Sequence, residues 1–158
     1  MTSLDFAKEW ATEKENDFIK NYERLGLRAS GEWERSLSNE TTETESNIKI
    51  EFFGANYTYQ LENGRLPNKN QDPQALKFWV GWAGSTFLKQ WVADKGLSIS
   101  PFAVAWKIAR EGVKVPNPNN AGGLISDVIT NESISLLLDS MTDGILKDVK
   151  STVIKELK

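Results

Sequence analysis

The sequence predicts an α+β fold that is mostly helical, with long helices at both ends of the chain. Apolar residues recur every three or four positions over residues 3–28 and 132–157, which is typical of amphipathic helices. Residues 48–52 instead alternate strictly between apolar and polar side chains, which indicates a half-buried strand. Hydrophobic residues make up 39% of the 158 positions, enough to form the packed core of one domain.

The composition excludes several kinds of active site. The chain contains no His and no Cys, which removes the commonest general base, the commonest transition-metal ligand and every thiolate nucleophile. Its net charge of −3 argues against holding nucleic acid by phosphate neutralisation. No apolar run reaches the roughly 20 residues that a membrane helix needs, and charges interrupt the N-terminal segment, so neither a membrane span nor a signal peptide is expected. We therefore predict a non-enzymatic protein that binds no cofactor and no metal.

The N-terminal part of the chain, over residues 1–37, predicts two helices. The first covers residues 3–28, and Gly26 marks a weak point or its end. The second is short, covers residues 32–37 and places Trp33 on its apolar side.

A loop, a strand and a turn are expected next. Residues 38–47 are acidic and polar and lack any periodicity, so we predict an exposed loop. The alternating strand of residues 48–52 follows. Residues 57–62 fit either a second strand or a short helix, and the helix is favoured because Gly64 can end it.

Further helices are predicted in the second half. Residues 74–95 are helical by content, and the glycines at positions 81 and 84 predict a break into two helices. Residues 100–112 form a helix with Pro101 at its first position, the Ser100 side chain as its cap and Gly112 at its end. Its apolar side is expected to be buried and consists of Phe102, Ala105, Trp106 and Ala109. Residues 113–123 are rich in Pro and Gly and predict a loop without regular structure.

Two charged stretches are candidates for a contact between elements. Glu62 and Arg65 flank a glycine turn, and the helix that follows ends with the cations Lys107 and Arg110. One interpretation is a helix end with surface ion pairs that contribute little energy. The sharper one is that Glu62 pairs with Lys107 or Arg110 and fixes the turn against the helix.

Three segments in a fixed order resemble one protein family. They are Tyr57…Tyr59-Gln-Leu-Glu62-Asn-Gly64-Arg65-Leu-Pro67, then Trp91-Val-Ala-Asp-Lys95-Gly96, then Phe102-Ala…Ala105-Trp-Lys107-Ile-Ala-Arg110-Glu-Gly112. Their order resembles the tail-completion (neck, or head–tail joining) proteins of tailed bacteriophages. The resemblance covers residues 48–130, and the order is more specific than any single segment.

The resemblance implies a small antiparallel sheet flanked by helices, within a single domain over residues 1–158 that has its core at residues 48–130 and a C-terminal helix over residues 131–158. It implies a virion structural protein at the head–tail junction or tail terminus, located in the tail or neck, and in the host cytoplasm during assembly. Its partners would be other copies of itself in a ring, neighbouring portal, neck or tail-tube proteins, and double-stranded DNA that passes through without specific binding; no membrane is involved. The candidate structural or interface residues are Tyr57, Glu62, Arg65, Trp79, Trp82, Trp91, Lys107 and Arg110.

The charge balance is compatible with such a channel. Like charge avoids tight phosphate contacts, so an acidic subunit lets DNA slide, and the acidic residues 38–47 would then face the lumen. The alternative function is a soluble adaptor or regulator that binds a protein partner through the Trp-rich helices.

Overall fold

The computed structural model describes residues 1–156, without the side chains of residues 148, 151 and 153–156. Its helices are α1 (Ser3–Arg24), α2 (Glu32–Ser36), α3 (Thr58–Asn63), α4 (Pro73–Ser85), α5 (Phe87–Asp94), α6 (Pro101–Glu111) and α7 (Asn131–Glu156). Its strands are β1 (Ser38–Glu43), β2 (Ile48–Phe53), β3 (Gly64–Arg65) and β4 (Val113–Lys114), and they form two antiparallel pairs, β1–β2 and β3–β4. The predicted α+β class with long terminal helices and a small antiparallel sheet is confirmed.

The chain divides into two compact units. Unit 1 consists of Met1–Tyr22, Ser36–Ala55 and Gly123–Lys158, and unit 2 consists of Glu23–Arg35 and Asn56–Gly122. The single domain expected from the sequence stays a prediction, and each unit is described by itself. Leu157, which closes the apolar pattern of the predicted last helix, lies outside the described residues.

In unit 1, the hairpin of β1 and β2 packs one face against α1. Phe52 of β2 lies edge-on to Phe18, with ring centroids 5.1 Å apart, and its ring centroid is 6.3 Å from that of Trp10. Asn39 of β1 donates a hydrogen bond to Glu15 over 2.6 Å. Since side chains alternate along a strand, the opposite face of the hairpin is left exposed.

The prediction of a loop over residues 38–47 is wrong for its first part. Residues 38–43 form β1 and pair in full register with β2, from Ser38 opposite Phe53 to Glu43 opposite Ile48. The four-residue connection is closed by a 2.9 Å hydrogen bond from the Thr44 N–H to the Asn47 carbonyl. β1 lacks apolar residues, so its backbone pairing with β2, and not burial of its side chains, makes it a strand.

Helix α7 follows the predicted extent up to the last described residue. Leu137 is buried, and Gly144 lies so close to α1 that a Cβ there would be 2.8 Å from Phe6 Cε2. Leu137 is not part of the apolar stripe expected from the 3–4 spacing of residues 132–157, whose members Ile134, Leu138, Ile145 and Val149 are exposed by 39–56%. The stripe is therefore only partly covered within this chain.

In unit 2, helices α4, α5 and α6 form the core. The buried side chains are Leu76, Val80, Ala83, Leu88, Ala105 and Ala109. The predicted break within residues 74–95 exists, but it lies at Thr86 and not between the two glycines. The hydroxyl of Thr86 donates to the Trp82 carbonyl over 2.7 Å, and the hydroxyl of Ser85 donates to the Gly81 carbonyl over 2.6 Å. These local side-chain bonds satisfy carbonyls that a continuous helix would have used.

Helix α6 has its predicted bounds, with two differences in detail. Pro101 occupies the first turn, and Gly112, with φ of 74°, ends the helix by donating to the Ile108 carbonyl over 2.9 Å. The predicted cap by the Ser100 side chain is wrong, because that side chain makes no capping hydrogen bond. The apolar side is buried only at the fully covered Ala105 and Ala109, while Phe102 and Trp106 are 45% and 38% exposed, since small residues form the seam with α4.

The remaining short elements of unit 2 lie beside this core. The favoured helix over residues 57–62 is confirmed as α3, and Gly64 follows it. The expectation that residues 113–123 contain no regular structure is wrong at their start, because Val113–Lys114 pairs with Gly64–Arg65. Trp33 of α2 is fully buried, and its indole N–H donates to the Thr58 hydroxyl over 2.9 Å.

Candidate functional site

The turn that carries the predicted Glu62 and Arg65 is joined to the end of α6 by backbone hydrogen bonds. Besides the β3–β4 pairing, the Asn68 N–H donates to the Ala109 carbonyl over 2.9 Å. The Gln71 side chain donates to the same carbonyl over 3.1 Å. The turn is thus fixed against the helix as expected, while the pairing of Glu62 with Lys107 or Arg110 stays a prediction. Lys107 and Arg110 are both exposed on α6.

Arg65 and Trp79 form a structural contact and not a free surface. The Arg65 guanidinium lies over the Trp79 ring, 4.5 Å from its centroid, and donates to Asn68 Oδ1 over 2.8 Å. Burial lowers the pKa of Arg65 from its ordinary value because it removes water from the charged group. Stacking on an aromatic face compensates in part for this lost hydration. We therefore assign both residues to the architecture of unit 2.

Tyr57 also lies in a protected position, at the start of α3. Burial raises the pKa of its hydroxyl, the negative charge of Glu32 raises it further, and Arg35 opposes both effects. Glu32 and Arg35 belong to α2, so the Tyr57 hydroxyl lies within electrostatic range of that helix.

The remaining predicted tryptophans lie on a surface that we name the aromatic strip, formed by Phe78, Trp82, Phe87 and Trp91. Their side chains are exposed by 82%, 54%, 49% and 37%, respectively. Phe78 and Trp82 are four positions apart on α4, and Phe87 and Trp91 are four positions apart on α5, so each pair lies on one helix face. The Trp82 and Phe87 rings touch with centroids 5.5 Å apart, which makes the strip continuous.

The aromatic strip is as large as the largest apolar patch that a folded monomer typically exposes, and such patches are often functional. With about 200 Å² per aromatic side chain, these exposed fractions correspond to about 400 Å² of aromatic surface. Exposed apolar patches above a few hundred Å² mark interaction sites, and a stable interface buries about 800 Å² on each partner. The strip therefore has about half the area that one partner buries in a standard interface, and its aromatic composition is that of an interface centre.

Sequence reasoning identified Trp82 and Trp91 but missed Phe78 and Phe87. The signal was present, because each phenylalanine precedes a tryptophan by four residues. Leu76, Val80 and Ala83 are buried in the core of unit 2. The side of α4 that carries Phe78 and Trp82 is therefore left exposed.

Among the residues whose side chains the structure describes, no three His, Cys, Asp or Glu groups lie close enough together to hold a metal ion. None of the helices described combines the length and apolar character required to cross a bilayer. Comparison with protein-family models, curated proteins and solved structures gives no match to this chain.

Proposed function

We propose that this protein is a non-enzymatic structural component of a phage virion, placed at the head–tail junction or the tail terminus. It forms part of a homo-oligomeric ring that joins the portal or neck to the tail and lets double-stranded DNA pass. The observation that carries this proposal is the aromatic strip of Phe78, Trp82, Phe87 and Trp91. In this proposal the protein is assembled in the host cytoplasm and remains in the particle.

The strip suits a permanent contact between proteins. Aromatic side chains dominate the energy of protein interfaces, and they do so when neighbouring contacts exclude water from them. Leaving about 400 Å² of aromatic surface in water is unfavourable by about 10 kcal/mol at about 25 cal/mol per Å². A subunit whose strip is covered by neighbouring proteins in the assembled particle avoids this cost.

The acidic tip of the β1–β2 hairpin supports the passage of DNA. Glu43 at the end of β1 and Glu45 in the turn are both exposed. Negative side chains repel phosphates, so a lumen lined by them offers no tight contacts to a moving duplex.

The first experiment is mass spectrometry of purified particles together with the oligomeric state of the purified protein. We expect the protein in the particles and a defined large oligomer by native mass spectrometry. Absence from particles combined with a monomeric state would end the proposal.

A matched pair of variants tests the strip itself. Phe78→Ser removes a side chain that is 82% exposed on the strip, and Leu66→Ser removes one that is 84% exposed elsewhere in unit 2. We expect Phe78→Ser to weaken self-association and Leu66→Ser to leave it unchanged, with equal thermal stability of both variants. Equal association of the two variants would assign the strip no role in assembly.

A soluble adaptor is the second candidate function, because the same strip could bind one partner of another kind. An adaptor predicts a monomer that captures a single partner in a defined complex and is absent from particles. Phe78→Ser would then abolish capture of that partner, and the oligomeric state would not change.

A further inference from the structure

The two units carry opposite net charges. Unit 1 has 8 basic and 15 acidic residues, a net charge of −7, whereas unit 2 has 11 basic and 7 acidic residues, a net charge of +4. A chain with opposite charges on two separate units can attract a second copy when the acidic unit of one copy meets the basic unit of the other.

The β1–β2 hairpin contributes a net charge of −3 to unit 1. Residues 38–53 contain four glutamates and one lysine. Glu40 and Glu51 are directly opposite in the β1–β2 register, and like charges in that arrangement destabilise a hairpin. Lys49 forms a 2.7 Å ion pair with Glu51, so this face keeps two carboxylates and one cation, a net charge of −1. This face, formed by Glu40, Thr42, Lys49 and Glu51, has the charge that a cationic surface complements.

Unit 2 offers such a surface on α6. Lys107 and Arg110 are exposed three positions apart, and Ala103 is exposed one turn before Lys107 on the same side of the helix. Trp106 lies beside them and is 38% exposed, and Glu111 is the acidic residue that follows. Arg and Trp are enriched among the residues that contribute most to interfaces. We name Ala103, Trp106, Lys107 and Arg110 the α6 face.

We infer that copies of this chain associate head to tail, with the exposed hairpin face of one copy on the α6 face of the next. The inference rests on the proposed self-association and adds to the aromatic strip a second contact, which sets the direction of assembly. The signs of the charges select this arrangement, because a symmetric contact between two hairpins or between two α6 faces would oppose like charges. A contact between two different surfaces is also the kind that closes into a ring when rotation permits.

Cysteine cross-linking tests the polarity of the contact directly. The chain contains no cysteine, so Thr42→Cys on the hairpin face and Ala103→Cys on the α6 face each introduce a single thiol. After oxidation of mixed samples, we expect a covalent dimer between the two variants and none from either variant alone. Dimers from one variant alone would show a symmetric contact and overturn the inference.

Charge reversal provides a second, independent measurement. Glu40→Lys with Glu51→Lys, and separately Lys107→Glu with Arg110→Glu, should each raise the dissociation constant for self-association by about tenfold or more. The chain that carries all four changes should associate about as well as wild type, because the charges are again opposite. Asp139→Lys with Asp143→Lys on α7 is the matched control and should leave association unchanged.

The outcomes separate this inference from the proposed function. If the protein oligomerises and enters particles, but the mixed cysteine variants do not cross-link and the four-residue reversal does not restore association, the inference fails and the proposed function stands. If the protein neither oligomerises nor enters particles, the proposed function fails as well.

Discussion

Two identical substitutions in helix α4 have opposite expected effects on stability. A Cβ at Gly81 would meet no atom within 4 Å, whereas a Cβ at Gly84 would lie 2.5 Å from Phe102 Cδ1 and 2.9 Å from Phe102 Cε1. Alanine is favoured over glycine within a helix by up to about 1 kcal/mol. Gly81→Ala should therefore increase the free energy of unfolding by about 0.5–1 kcal/mol.

Gly84→Ala should lower the free energy of unfolding instead. Gly84 is the penultimate residue of α4, so replacing it by alanine gains less helix propensity than the same change at Gly81. The new methyl group must displace the Phe102 ring, and overpacking typically costs about 1–3 kcal/mol. Because Phe102 is 45% exposed, the ring can move partly toward solvent, which places the cost near the lower end. We expect the two variants to differ by about 1–2 kcal/mol.

Urea unfolding monitored by circular dichroism measures this difference, and thermal unfolding should separate the variants by about 2–4 °C per kcal/mol. Adding Phe102→Leu to Gly84→Ala removes the ring from the contact and should recover most of the loss. If Gly84→Ala is as stable as Gly81→Ala, or if Phe102→Leu recovers nothing, Phe102 does not require a glycine at this position and the reasoning is refuted.

Further substitutions test other contacts by the same unfolding measurements. Ala105→Leu, at a fully buried position between α4 and α6, should destabilise the protein by about 1–3 kcal/mol, whereas the exposed Ala103→Leu should be neutral. A hydrogen bond from Lys14 is the main cause of the lowered pKa of Asp17. The Asp17 carboxylate therefore stabilises the fold at pH values above its unfolded pKa near 3.8. That stabilisation is lost as the pH falls through the lower pKa of the folded state. Asp17→Asn should cost at most about 1 kcal/mol at pH 7 and flatten the acid limb of the stability profile; an unchanged limb would contradict this. Trp33→Phe removes an indole hydrogen bond and part of a buried side chain, and should cost about 1–3 kcal/mol; a neutral result would contradict the packing described for α2.

The parts of the fold that could be predicted depend on local physics. Glycines with positive φ follow α1, α5 and α6 at Gly26, Gly96 and Gly112, as their sequence positions suggest. Proline at the first turn and a 3–4 spacing of apolar residues act within one helix, so a single segment is enough to reveal them. The alternation of residues 48–52 is local in the same sense.

The parts that could not be predicted depend on partners elsewhere in the chain. β1 has the sequence Ser-Asn-Glu-Thr-Thr-Glu and becomes a strand only because β2 supplies its hydrogen bonds. The break at Thr86 uses side-chain bonds to carbonyls one turn earlier, and the glycines had suggested a different place.

The candidate site shows the same division. The spacing of Trp82 and Trp91 from the phenylalanines before them is visible in the sequence, but their exposure follows from which faces of α4 and α5 are buried. Arg65 and Trp79 were both predicted as interface candidates, but in the structure they stack on each other. The sequence around either residue does not indicate this contact.

The interleaving of the two units has a consequence for how the chain matures during synthesis. The backbone passes between the units four times, and the last 36 residues, 123–158, all belong to unit 1. They include the carbonyls that accept hydrogen bonds from Asn21, 102 and 103 positions earlier, and from Trp10, 123 positions earlier. Contacts of such sequence separation form slowly, because a long stretch of intervening chain must be ordered before they are made. The β1–β2 hairpin is made early, but unit 1 closes only after residues 123–156 have been synthesised.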